Sequence, residues 1–113
     1  MAENAEVRLF DRFMRLSRDA FDAGSFQAAY HALAGALHCA ESLRDAKRLG
    51  MVQEETSRQI AIIDTDHPQH RVGSAAAARR GNTGVYRSLL AQLRAATAIA
   101  NSPQHGTQQT DSV

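Results

Sequence analysis

An all-α fold is predicted by three features of this 113-residue chain. Apolar residues recur at spacings of three and four through most of it, as one buried face of a helix requires. The stretch Asp22-Ala-Gly-Ser-Phe26 closes one such pattern and opens the next within about two residues, which forces neighbouring helices antiparallel. Apolar residues make up 43% of the chain but aromatics only 5%, and many of the apolar ones are Ala. A core of that composition is built by helices that approach closely, and small helical proteins of this kind often gain stability by assembling.

The first helix is expected from about Ala5 to Ala23. Val7, Phe10, Met14 and Phe21 form one apolar row, and Leu9, Phe13, Leu16 and Ala20 a second, together wide enough to touch more than one neighbour. Arg8, Asp11, Arg12, Arg15, Arg18, Asp19 and Asp22 lie opposite as a solvated face of mixed sign. Gly24 supplies the left-handed residue that ends the helix, and Ser25 is placed to cap the next with its hydroxyl.

The second helix runs from about Ser25 to Leu43, with Phe26, Ala29, Tyr30, Leu33, Leu37 and Ala40 on its core face. Beside that face lies a strip of small residues, Ala28, Ala32, Gly35, Cys39 and Ser42. Gly inside a helix costs about 1 kcal/mol relative to Ala, so Gly35 implies a close approach by something else. That something is read as the third or fourth helix of the chain, or as another protein.

Phe10 to Leu43 resembles one tetratricopeptide (TPR) repeat, a helical hairpin of about 34 residues used in stacked arrays. Phe13 and Leu16 stand at its first large residue and its Leu, and Ala20 where it usually has an aromatic. Gly24 and Phe26 match the turn, Ala29 the small residue where the helices cross, and Leu33, Ala36 and Leu37 the later apolar positions. Ser17 stands where the family has Gly or Ala, and Glu41 where Pro commonly ends the repeat. The resemblance covers about a third of the chain, with no second full copy, and implies a module that binds protein partners.

A third helix begins at Asp45, a good N-cap, and reaches about Ile63, burying Leu49, Val52, Thr56, Ile60 and Ile63. Met51 and Ile62 lie on its other side, near Arg58, as an edge of a contact surface. From Thr65 to Asn82 the periodicity stops, and the segment reads as a loop in which Ala75 to Arg80 forms at most a helical turn. A fourth helix follows to about Asn101, buried along Val85, Leu89, Leu93, Ala96 and Ala100 with Tyr86, Leu90 and Thr97 beside them. The organisation is thus a TPR-like three-helix region over 1–64, a loop or linker over 65–82, a C-terminal helix over 83–101, and a polar tail over 102–113 read as disordered. Together these make a small bundle of about four helices.

The chemistry-bearing patterns argue against an enzyme. No phosphate-binding Gly loop, nucleophile elbow or metalloprotease motif is present. His67 and His70, with Asp64 and Asp66, form a loose set around Pro68, read as a solvated loop rather than a metal site. No metal or other cofactor is expected. His31 and His38 are seven residues apart and read as a helix-surface pair.

One cysteine and no apolar run of about 20 residues fit a cytoplasmic protein that does not enter the membrane. Eight Lys or Arg face eleven Asp or Glu up to Asp66, whereas five Arg face Asp111 alone beyond it.

The expected function is therefore a small adaptor or protein–protein interaction module working through helix packing, with a protein partner or a second copy. Ala28, Ala32, Gly35, Cys39, Met51 and Ile62 are its candidate contact residues. The alternative is weak nucleic-acid binding through Arg71, Arg79, Arg80, Arg87 and Arg94.

Overall fold

Five helices run through the described residues of this computed structural model, which are 2–70, 72–79, 81 and 84–100. They are α1 (Ala2–Asp22), α2 (Phe26–Leu43), α3 (Ala46–Asp66), α4 (Ser74–Arg79) and α5 (Val85–Ala100). No described residue lies in a strand. The fold is all-α, as the periodicity requires, and the tail from residue 101 onward lies outside the described residues.

The first hairpin, α1 against α2, is set by the turn at Gly24. With φ at +81°, Gly24 lets its own amide donate to Phe21 O at 2.9 Å and the Ser25 amide donate to Ala20 O at 2.8 Å. These bonds satisfy the last carbonyls of α1 and reverse the chain. Ser25 does occupy the cap position of α2, but its side chain makes no capping bond. Its backbone carbonyl still accepts from Ala29 N at 3.0 Å, so the geometry of the reversal carries the start of the helix.

The same exit is used a second time. Arg44 takes φ 52° and ψ 45°, its amide donating to Glu41 O at 3.0 Å and that of Asp45 to Ala40 O at 3.1 Å. A non-Gly residue in this region costs about 1 kcal/mol. Arg44→Gly is therefore expected to raise stability by about 0.5–1 kcal/mol, read as a higher urea midpoint with an unchanged slope. Asp45 then caps α3, accepting from Arg48 N at 3.1 Å. That amide bond holds the carboxyl below the usual carboxylate range, against the smaller opposing effect of burial, and the Arg48 guanidinium reinforces it.

The second hairpin is α3 against α5, and α2 lies against both of its helices. A single apolar cluster joins them, with Phe10, Met14 and Phe21 from α1, Phe26, Leu33 and Leu37 from α2, Leu49, Val52, Ile60 and Ile63 from α3, and Tyr86, Leu89 and Leu93 from α5. Ala29, Ala36 and Ala40 are fully buried, which is how an Ala-rich α2 draws its neighbours close. Val85, expected on the buried row of the last helix, is instead exposed at its first turn.

The segment that joins α3 to α5 departs from the sequence reading. It is an ordered strap along its described part rather than a plain loop, because isolated anchors hold it down. Val72 and Ala77 are buried, and the Ser74 amide donates to Asp64 Oδ1 at 2.8 Å. Arg87 clasps the same place from α5, its Nε donating to Ser74 Oγ at 3.1 Å and its Nη2 standing 3.5 Å from Asp64 Oδ2. The helical turn expected at Ala75 to Arg80 appears as α4, with Arg80 outside the described residues.

Candidate functional site

What α1 leaves uncovered depends on how α3 and α5 are locked to the first hairpin, and a buried polar node does the locking. Ser17 of α1 donates to the Ala29 carbonyl of α2 at 2.8 Å and accepts from Gln59 Nε2 of α3 at 2.9 Å. The second amide hydrogen of Gln59 goes to Glu55 Oε2 at 2.9 Å, while Gln59 Oε1 accepts from the Tyr86 hydroxyl of α5 at 2.7 Å. That hydroxyl also lies 3.0 Å from the Phe26 carbonyl of α2. Four helices meet at one glutamine whose hydrogen-bonding capacity is well used. Ser17, Gln59 and Glu55 interrupt the apolar pattern at these positions because each has its partner inside the fold.

Charge extends the node toward the surface. Burial disfavours the Glu55 carboxylate, but hydrogen bonds from Arg58 and Gln59 and the charges of Arg58 and Arg18 outweigh it and hold the carboxyl below its ordinary value. Burial, and then the Glu55 charge, push the Tyr86 hydroxyl up, so it remains a neutral donor. The guanidinium of Arg58 lies over the Phe21 ring at 5.4 Å and that of Arg48 over Phe10 at 5.5 Å, tying α3 along the length of α1.

With its core-facing row committed, α1 has two free faces. On one, Leu9 and Leu16 are 42% and 55% exposed, flanking the half-buried Phe13. Both leucines belong to the second apolar row of the sequence, and no described element covers them. On the other face, Arg8, Arg12, Arg15 and Arg18 border an open hollow of about 420 Å³ between α1 and Met51 of α3. Past Arg18 and Met51 it continues into a second hollow of about 310 Å³ beside Glu54, Glu55 and Arg58.

The small-residue strip has a different role from the one expected. An ideal Cβ at Gly35 would lie 2.7–2.8 Å from the Phe13 ring, so the close approach comes from α1 itself, not from a later helix or another protein. Ala32 and Cys39 are buried on the same strip, and only Ala28 and Ser42 are exposed. Ala32, Gly35 and Cys39 are therefore the bed of α1. Burial, and then the charge and hydrogen bonding of Glu6, raise the Cys39 thiol, which makes it a poor nucleophile. Met51 is 39% exposed and lines both hollows, whereas Ile62 is half-buried against the core and lines neither.

Three arginines of the nucleic-acid alternative, Arg79, Arg87 and Arg94, are described. Arg87 is engaged with Ser74 and Asp64, Arg79 donates to Gln69 Oε1 at 3.1 Å, and Arg94 is exposed on α5. Arg71 and Arg80 lie outside the described residues. His67 and His70 pack their rings on Phe26, with centroids at 5.0 and 4.9 Å. Among the described residues no group of three His, Cys, Asp or Glu is arranged to hold a metal ion. Nor is any helix there long and apolar enough to cross a membrane. His31 and His38 are both exposed on α2.

No family profile matches the chain, and neither a curated protein nor a solved structure matches it significantly.

Proposed function

We propose that this protein is a small non-enzymatic interaction module that binds a protein partner by helix packing, with α1 as the contact element. The observation that carries the reading is the Leu9/Leu16 row. Two large aliphatic side chains, seven residues apart on one helix face beside a half-buried Phe, stay exposed although four other helices are present among the described residues. A row at that spacing is what a helix of another chain packs against. The TPR-like hairpin reading of Phe10 to Leu43 agrees with such a role, since a repeat of that kind offers its outer surfaces to neighbours. The cytoplasm suits a chain with a single buried thiol.

The test is a pair of charge insertions on exposed positions. Leu9→Glu with Leu16→Glu should leave the helical circular dichroism and urea midpoint nearly unchanged, because neither side chain is in the core. Native mass in cell extract, measured by size-exclusion chromatography with detection of the tagged chain, should fall from that of a complex to that of the monomer. A wild-type chain that elutes as a monomer, or a variant that stays in the complex, would contradict the proposal.

A further inference from the structure

The face of α1 next to the leucines carries cations without a partner among the described residues. In the hollow between α1 and α3, Arg18 and Arg58 are both turned to Glu55. Arg8, Arg12 and Arg15 have no ion pair or side-chain hydrogen bond with any described residue. We infer that this hollow binds an acidic, extended segment of a partner protein, with Arg8, Arg12 and Arg15 taking its carboxylates and Met51 receiving one apolar side chain between them. The inference rests on reading the chain as an interaction module, but it uses another face of α1.

Spacing and lining select the occupant. Arg8 and Arg15 are separated by about 10 Å along the helix axis at 1.5 Å per residue, with Arg12 between them. A peptide in the extended polyproline II conformation covers that distance in about three residues, one full turn, so acids three apart lie on one side of it opposite Arg8 and Arg15, with Arg12 between the two. Met51, with its adaptable thioether chain, is the exposed apolar contact beside them. Asp11 sits among the arginines and Glu54 stands farther along the α3 wall. A polyphosphate, charged at every unit, would be repelled at both places, whereas a peptide can set neutral residues there. The hollow also lacks an exposed ring for a base to stack on, because Phe10 is only 1% exposed.

Fluorescence anisotropy at low salt tests this with the full chain. The probe is a fluorescein-labelled peptide of Gly, Ser and Glu, with Glu at every third position and one central Leu. Its comparators are the same peptide with Gln for Glu and a labelled oligothymidylate of equal length. The acidic peptide should bind and the Gln peptide should not. Arg12→Ser with Arg15→Ser should weaken binding by at least about tenfold, Met51→Ser by a smaller factor, and Arg94→Ser on α5 not at all. A Leu9→Ser/Leu16→Ser variant, which removes the leucine row without adding a carboxylate three and four residues from Arg12, should still bind the peptide, which separates failure of this inference from failure of the leucine-face reading. Equal binding of the Gln peptide, no binding of the Glu peptide, or an unaffected Arg12/Arg15 variant would overturn the inference. So would an oligothymidylate that displaces the peptide and depends on the same arginines, which would make the hollow a nucleic-acid site.

Discussion

Gln59→Ala is expected to lower the unfolding free energy by about 4 kcal/mol, a large fraction of the reserve of about 5–15 kcal/mol of a small domain. Three hydrogen bonds end on this fully buried side chain, one of them to the charged Glu55. Bonds between neutral groups contribute about 1 kcal/mol each and those to ions about 2, and the truncation adds a cavity. Gln59→Leu should cost only about half as much. It refills the volume, while Tyr86 keeps the Phe26 carbonyl and Ser17 keeps the Ala29 carbonyl. Urea denaturation of the two variants checks both the size and the order. Equal costs would mean that the amide's hydrogen bonds contribute little and that volume alone matters. A double-mutant cycle with Tyr86→Phe should show a coupling near 1 kcal/mol, because the two side chains bond directly.

Gly35→Leu is the second large effect. A Cβ alone at this position would intrude on the Phe13 ring, and a Leu carries three further carbons into the same space. Overpacking of this kind costs about 1–3 kcal/mol, and here it pries α1 from α2 along their whole shared face. The variant should unfold at a markedly lower temperature instead of remaining a stable monomer that has merely lost a partner. Gly35→Ala should be close to neutral, since a helix-propensity gain of about 1 kcal/mol opposes the displacement of a half-buried ring. Pairing Gly35→Leu with Phe13→Ala should restore part of the loss, with thermal melts followed by circular dichroism as the readout. A Gly35→Leu protein as stable as the wild type would return the strip to the surface.

The helices were legible in the sequence wherever the signal was local. Gly24 at the reversal, Asp45 at its cap and the apolar rows of α2 and α5 each act within a turn or two of themselves. What could not be read is what depends on which helix meets which. Gly35 announced a close approach, but nothing in its own neighbourhood named Phe13 as the visitor. Leu9 and Leu16 look like core residues in one dimension and become surface only when α3 and α5 are placed elsewhere. The polar node was hidden for the opposite reason, because Ser17, Glu55 and Gln59 weaken the periodicity that marks a buried face. The one departure from the repeat pattern that could have signalled it was Ser17. The strap was missed because Val72 and Ala77 anchor it singly, without any period to detect. Of the site residues, Met51 is legible in the sequence as an apolar side chain beside Arg58, paired there with Ile62, and the arginines of α1 read as a solvated face of mixed sign.

All of this converges on α1 as an element held from behind and open in front. Photo-cross-linking in the protein's own cells reads that arrangement directly, with benzoylphenylalanine placed at position 16 in one chain and at position 92, exposed on α5, in another. A discrete adduct from position 16 with none from position 92 is the predicted result. Adducts from position 92 alone, or none from position 16, would contradict the proposal that α1 is a contact surface for another protein.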